Sequence, residues 1–417
     1  MRLTILTVGS RGDVQPFLAL GRVLADAGHA VDVATHPRFE PLAARVGLSF
    51  TPLAEGRISE GPQTEEGRRW LEGSGRRAPS WVGYLQDART VARHRLADAL
   101  RACRDADAII ASDLATLLGW QMAEHFDRPL VRAGLNLPVV TRGWHSPAAN
   151  AVRQGLWWTA RPWLDGVRRD VGLPSLPGSD PVVDLHRRRT LTLRAYSPAV
   201  GAVPAPGRDW IHVTGYWFLD QRLDPVASTA LAEFIAAGPP PVCIDFGSML
   251  DDDPDRTTEL AIAALARTGH RGVLIRGRYR RGSAGLPATI FAVDAVPHDW
   301  LFARCAAVVH HAAAGTTAAA LRAGIPSVPV PHMPDQARWA RRLHQLGAAA
   351  APIPRSRLTA DELAAGIAAV TGDPTFGARA ASLSAQVRAQ DGTARALEIL
   401  ERELDQPARA GRLRVAV

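Results

Sequence analysis

One pattern constrains this chain more than any other. Short apolar runs alternate with helical stretches along most of its 417 residues. LTILTVG at residues 3–9 reads as a buried strand. A Gly/Ser/Asp loop follows, and then PFLALGRVLADAGH. There Phe17, Leu20, Val23, Leu24 and Ala27 recur at helical spacing, and Gly28 stops the run. AVDVATH is the next strand. The series continues with a helix near 38–46, a strand LSFTPL, a helix over 84–103, a strand AIIAS at 108–112, a helix over 114–125 and a strand PLVRAG at 129–134. Strands that alternate with helices in this way form a doubly wound parallel sheet.

Three segments break the alternation. Residues 56–80 are Gly-rich and charged and read as a mobile surface loop. Residues 142–175 carry Trp144, Trp157, Trp158 and Trp163. These fit either a helix that packs its aromatic face on the sheet or an aromatic wall for an apolar small molecule. Asp224-Pro225 and the run Gly238-Pro239-Pro240-Pro241 bracket about ten helical residues, which suggests a linker between domains. A second alternating half begins with PVCIDFG (241–247) and runs through a helix over 254–268, GVLIRG, TIFAV, a helical turn at 298–303, AAVVH (306–310), a helix over 315–323, SVPVP and a helix over 336–346. Amphipathic helices close the chain, and the tail ARAGRLRVAV reads as poorly ordered. The expected division is 1–218, a linker 219–240, a second domain 241–395, and a helix and tail 396–417.

Composition narrows the function. The chain is 47% hydrophobic, enough to fill sizeable cores. Its 3 cysteines, Cys103, Cys243 and Cys305, lie far apart without a C-x-x-C, which argues against a disulfide framework or a zinc site. No signal peptide is visible, and no apolar stretch reaches the roughly 20 residues that span a bilayer. A cytoplasmic location is expected. All 49 basic residues are arginine, so a P-loop lysine or a Schiff base is excluded. The net charge is +8, but the arginines are scattered among acids rather than gathered into a nucleic-acid arm.

The stretch VVHHAAAGTTAAALRAGIPSVPVPHMPDQ, residues 308–336, carries most chemistry. Strand AAVVH ends where a helix begins, so free backbone N–H groups and a positive dipole end face the same point. Thr316 and Thr317 add hydroxyls. His310 and His311 are consecutive on a strand end and point to opposite faces, so they do not chelate one metal together. The alternative is an ordinary strand–turn–helix with a capping threonine. A second donor turn, Gly247-Ser248-Met249, ends the strand VCIDFG. Two such turns in one half suit a diphosphate better than a single phosphate. Asp335-Gln336 offers an acceptor beside a donor, as sugar hydroxyls require, or Asp335 caps the next helix. In the first half GSRGDVQP lacks the spacing of a dinucleotide loop. Asp13 there is either a general base at the C-terminal edge of the first strand or the N-cap of the first helix.

These residues resemble a family. GSRGDVQPFLALGRVLADAGHAVDVATHPRF, VTGYWFLD, IDFGSM and HHAAAGTTAAALRAGIPSVPVPHMPDQARWARRLHQLGA are similar to the nucleotide-sugar-dependent glycosyltransferases of GT-B architecture that include antibiotic and sterol glycosyltransferases. The resemblance covers nearly the whole chain and is most specific from His310 to Gln336. It implies an α/β fold of two Rossmann-like doubly wound domains facing a cleft, with C-terminal helices packing back on the N-terminal domain. It also implies inverting transfer of a hexose or deoxyhexose from a UDP- or dTDP-sugar to a hydroxyl of an apolar small molecule. Asp13 would be the base. Ser10 and Arg11 would line its loop toward the diphosphate. Ser248, His311, Ala314, Gly315, Thr316 and Thr317 would hold the diphosphate, and Val296 the nucleobase. Asp335 and Gln336 would bind the sugar. Trp144, Trp157 and Trp158 would serve the acceptor. No metal or cofactor is implied beyond the nucleotide-sugar co-substrate, and a lipid acceptor would bring transient membrane contact. Alternatives are a nucleotide-sugar epimerase on the same fold and a non-catalytic homologue that binds nucleotide or activates a partner. This chain departs from the family's common His-His-Gly-Gly-Ala-Gly-Thr-Thr at Ala312 and Ala313. The added methyl groups crowd a diphosphate, or forbid a positive φ if the turn uses one. Ala295 stands where many relatives have a tryptophan.

Overall fold

The computed structural model describes residues 1–55, 81–137, 147–204, 206–220, 225–246, 254–276 and 286–404. The chain forms two compact units. The first comprises Met1–Ala195, Val203–Phe218 and Gly392–Val417, and the second Tyr196–Ala202 and Leu219–Asp391.

The first unit is built on seven strands: β1 (Arg2–Leu6), β2 (Ala30–Thr35), β3 (Ser49–Pro52), β4 (Ala108–Ser112), β5 (Leu130–Gly134), β6 (Thr192–Arg194) and β7 (Ile211–Val213). Their order is β3-β2-β1-β4-β5-β6-β7, and every pairing is parallel. Parallel strands need crossovers, and the helices Arg11–Asp26 and Thr116–Phe126 are two of them. The central strands read almost without interruption as buried residues, because helices cover both faces of such a sheet. The helix Pro147–Arg169 adds Trp157 and Val167 to the core.

The second unit has five strands, β8 (Val242–Asp245), β9 (Gly272–Ile275), β10 (Ile290–Val293), β11 (Ala307–His310) and β12 (Ser327–Pro329), in the parallel order β10-β9-β8-β11-β12. The period-2 alternation of a strand divides its core in two. Val242, Ile244, Ala307 and Val309 face the helices Pro254–Thr268 and Ala360–Gly372. Cys243 and Val308 face the helices Pro225–Ala236, His298–Phe302 and Ala314–Ala323. This is the α/β, two-domain GT-B fold that the sequence led us to expect.

Two boundaries differ from the sequence reading. Residues 219–240 group with the second unit rather than standing free as a linker. Leu231 is buried there, and the Arg271 guanidinium lies over the Phe234 ring, 4.1 Å from its centroid. At the other end the division falls at Gly392. Of the C-terminal helices only Gly392–Leu404 belongs to the first unit. There Trp217 Nε1 donates to the Gly392 carbonyl at 3.1 Å, and a Cβ on Gly392 would lie 2.4 Å from the Tyr216 carbonyl oxygen. The reading of residues 56–80 as a mobile loop and of the tail beyond 404 lies outside the described residues.

Candidate active site

The C-terminal ends of β8, β11 and β12 come together in register: Asp245 pairs with His310, and His310 with Pro329. Ligands of parallel α/β sheets bind at this edge. His310 is fully buried, and burial pushes its imidazole down to about 3, so it is neutral. Its Nδ1 accepts a hydrogen bond from the Ala312 backbone N–H at 3.1 Å. Ala312 adopts φ 62°, in the left-handed region. The positive φ that the Gly-to-Ala departure put at issue is therefore used, and an alanine bears it. Ala313 has an ordinary φ of −67° and is the N-cap of the helix Ala314–Ala323.

Alanine has no side chain that can cap, so that helix starts without a side-chain hydrogen bond. The alternative of a capping threonine does not hold: Thr316 and Thr317 lie inside the first turn, and Thr317 N donates to Ala313 O at 2.9 Å. Among the described residues the buried Thr317 hydroxyl has no hydrogen-bond partner, and neither has Nδ1 of His311. Burial lowers the His311 pKa, while nearby Asp245 acts in the other direction. The first turn of this helix thus holds backbone N–H groups without a side-chain cap and the Thr317 hydroxyl, and His311 stands three residues before it. Ala314 and Gly315 add no bulk in front of it.

Asp335 is the second residue of the helix Pro334–Gln345, whose N-cap is Met333, so the N-cap alternative for Asp335 does not hold. It makes no hydrogen bond or ion pair among the described residues. Gln336 is buried, and its Oε1 accepts from the backbone N–H groups of His332 at 2.8 Å and Met333 at 3.0 Å. One half of its amide therefore secures the helix start. Val296 is half-buried against the core that contains Leu301 and Phe302. Ser248 and Trp144 lie outside the described residues.

Asp13 lies in the first unit. The first helix starts at Arg11 with Ser10 as N-cap, five residues before Pro16. Asp13 is therefore not the N-cap but the third residue of the first turn. Its Oδ2 accepts from Ser10 N and from Ser10 Oγ, both at 2.8 Å. Gly9 holds φ 123°, and a Cβ there would lie 2.6 Å from Asp13 Oδ2. The loop is fixed further by Gly9 N donating to His36 Nε2 at 3.2 Å and by Arg38 donating to Gly9 O at 2.7 Å. Arg11 points along the helix surface, its Nε donating to Gln15 Oε1 at 3.2 Å.

The tryptophans separate. Trp157 is buried, edge-on to Trp120 with ring centroids 6.1 Å apart, and takes the core role. Trp158 is 63% exposed. Two features escaped the sequence reading. His36 and Arg38 support the Gly9 turn, with no sequence signal. Asp245 pairs with His298, its Oδ2 2.9 Å from Nε2. An acidic residue within the apolar run VCIDFG was the available signal, since a carboxylate in a buried strand needs a partner.

Comparison with known proteins fits this geometry. Residues 260–402 match the model of the C-terminal domain of erythromycin biosynthesis protein CIII-like proteins, and residues 3–124 that of the glycosyltransferase family 28 N-terminal domain. The sterol 3-beta-glucosyltransferase of Aspergillus fumigatus is 33% identical over 97% of this chain, which spans only 30% of that protein's length. The sterol 3-beta-glucosyltransferase UGT80B1 of Arabidopsis thaliana is 31% identical over 97% of this chain and 68% of its own. Among solved structures, the glycotransferase of kitacinnamycin superposes with a TM-score of 0.71 at 20% identity, covering 97% of this chain and 99% of its own. The glycosyltransferase VinC, solved in complex with dTDP, gives 0.68 at 22% identity, covering 97% and 100%. The chain belongs to the glycosyltransferase family that includes the sterol 3-beta-glucosyltransferases.

Proposed function

We propose that this chain is an inverting glycosyltransferase that moves a hexose or deoxyhexose from a UDP- or dTDP-sugar to a hydroxyl of an apolar small molecule: a natural product, a sterol or a lipid. The observation that carries the reading is the start of the helix Ala314–Ala323, which has no side-chain cap, together with the buried Thr317 hydroxyl and His311 Nδ1, which have no hydrogen-bond partner among the described residues. Uncapped N–H groups at a helix start bind anions. The relatives' names indicate sterol as one acceptor, and the dTDP complex of VinC supports a nucleoside diphosphate as the leaving group.

Asp13 takes the proton of the acceptor hydroxyl. The acceptor oxygen forms its bond to the anomeric carbon while the bond from that carbon to the diphosphate oxygen breaks, and the diphosphate leaves with the electron pair. A single displacement inverts the anomeric centre. The leaving charge is met by His311, Thr316, Thr317 and the helix N-terminus rather than by a metal. Asp335 and Gln336 bind the sugar, Val296 lies against the base, and Trp158 serves the acceptor. General-base assistance is worth ~10²–10⁴ in rate. Asp13→Asn therefore keeps nucleotide binding and loses most turnover; unchanged turnover removes Asp13 from this role. No helix among the described residues is long and apolar enough to cross a membrane, and all three cysteines are free and buried. We place the chain in the cytoplasm.

One observation favours a second reading, a nucleotide-binding homologue without turnover: Ala312 holds a backbone conformation that suits glycine. Restoring turnover or donor affinity with Ala312→Gly would tie that strain to catalytic competence; no gain from the substitution would weaken this second reading.

A further inference from the structure

We propose that the apolar acceptor carries a carboxylate, and that Arg132 and Arg194 bind it at the C-terminal edge of the first sheet. The inference rests on the glycosyltransferase reading above and narrows its acceptor class.

Leu130, Arg132 and Gly134 alternate onto one face of β5. Leu130 lies in the core there, so Arg132 is the next side chain above it. Arg132 is half-buried with its Nε sealed from solvent, yet its guanidinium makes no hydrogen bond or ion pair among the described residues. An arginine stays protonated in a protein. A cation held in this way is costly until it meets an anion. Burial has the largest influence on Arg132 and lowers its pKa; Asp113 works the other way, and Arg194 lowers it again. Asp113, which follows β4, is itself engaged by Arg194, whose Nη1 donates to both carboxylate oxygens at 3.3 Å. Arg194 stands in register with Gly134. Both charged side chains lean over that glycine, where a Cβ would collide with Arg194 Nη1 and Asp113 Oδ2. The other donors of Arg194 make no hydrogen bond among the described residues. Two guanidinium groups against one carboxylate leave a surplus positive charge at this edge. His186, on the helix Pro181–Arg187, meets the same field: burial, and then Arg208, Arg132 and Arg153, lower its pKa.

The surroundings fit an apolar molecule with one acidic end. Leu114 and Leu117, directly beyond Asp113, are both exposed and offer apolar surface beside the charged pair. The planar fork of a guanidinium matches the two oxygens of a carboxylate. Asp13, the base of the proposed transfer, opens the helix that follows β1. The order β1-β4-β5 sets the strand of Arg132 two strand spacings from β1, on the order of 10 Å. The reacting hydroxyl and the anchoring acid are therefore expected to lie about that far apart in the acceptor. An unmodified sterol has a hydroxyl but no acid, so a hydroxy acid on an apolar skeleton is the better match.

The test is calorimetric titration of ω-hydroxydecanoate and of deoxycholate, each beside its methyl ester and below its micellar concentration. The proteins are the wild type, Arg132→Met and Arg132→Lys, with a thermal melt of each and with UDP and dTDP as controls. Hydrogen bonds to a charged group are worth roughly 10- to 100-fold in affinity, so the wild type should prefer at least one acid over its ester by that factor. Arg132→Met should erase the preference, leave binding of the ester as it was, and melt no lower than the wild type, because it removes a buried unpaired cation. Arg132→Lys keeps the charge without the fork and should keep part of the preference. A merely structural Arg132 would instead lower the melting temperature of Arg132→Met with the preference intact, and that result overturns the inference. If Arg132→Met does not fold, the wild-type comparison and the lysine variant decide. Wild-type binding of acid and ester alike, or of neither, while UDP or dTDP binds, overturns this inference alone. Failure of the wild type to bind either nucleotide overturns the glycosyltransferase reading beneath it.

Discussion

The Nδ1 atom of His310 accepts the backbone N–H of Ala312 at 3.1 Å, and Ala312 stands at φ 62°. A fully buried, neutral imidazole thus holds a strained alanine at the turn that opens the helix Ala314–Ala323. For an L-residue the left-handed region costs roughly 1–2 kcal/mol. Ala312→Gly removes the clash and is expected to stabilise the protein by about 1 kcal/mol, part of the gain being lost to the greater freedom of glycine when unfolded. Thermal melts check this, and a lower melting temperature would contradict it.

Acid should weaken the fold through two histidines. Burial, with Arg38 and Arg95 nearby, pushes His36 down to about 4, and burial pushes His310 to about 3. Unfolded, each would ionise near its ordinary 6.5. Below that pH the unfolded chain binds protons that the folded chain refuses. Their contribution is complete above pH 6.5 and is lost as pH falls toward 4 for His36 and 3 for His310. The slope is ~1.4 kcal/mol per pH unit for each histidine. Denaturant unfolding at several pH values should show it, with a shallower slope in His36→Gln. An identical slope in that variant would show that His36 is not buried neutral.

Neighbouring tryptophans should respond oppositely. Trp157 packs edge-on against Trp120 in the core of the first unit, so Trp157→Ala is expected to cost ~3–5 kcal/mol. Trp158 is exposed, and Trp158→Ala should stay within ~0.5 kcal/mol while raising KM for an apolar acceptor. Equal stability losses in the two variants would contradict the assignment.

Asp335 and Gln336 should also separate. Gln336→Ala removes the acceptor of two hydrogen bonds, from the His332 and Met333 N–H groups, so it should lower stability by ~1–3 kcal/mol and weaken donor use as well. Asp335→Ala removes no internal bond and should raise KM for the nucleotide-sugar at unchanged melting temperature. Melts and donor saturation curves distinguish the two.

The alternation of strand and helix was legible because hydrophobic period is a local property of the chain. The second sheet, β1 to β5 of the first and the strand–turn–helix at His310 followed from it, whereas the three-residue strands β6 and β7 are too short to show a period and were not read. What was not legible depended on tertiary contacts. The first helix begins at Arg11 although Pro16 looks like a start, because Ser10 and Asp13 cap each other through space. The return of the chain at Gly392 depends on Trp217 Nε1 reaching its carbonyl, a contact between residues 175 apart in sequence. The Gly-to-Ala departure at residue 312 raised the question of a positive φ, but only the backbone shows that one is used. Asp245 was read as part of a strand, which it is. Its partner His298 lies two strands further along the chain and could not be assigned from spacing.

The central claim is that the second unit holds a pyrimidine nucleoside diphosphate at the start of the helix Ala314–Ala323. Calorimetric titration of the wild-type protein with UDP, dTDP and NAD in parallel tests it most directly. The account predicts saturable binding of UDP or dTDP and none of NAD. Binding of NAD alone, or of no nucleotide at all, would contradict it.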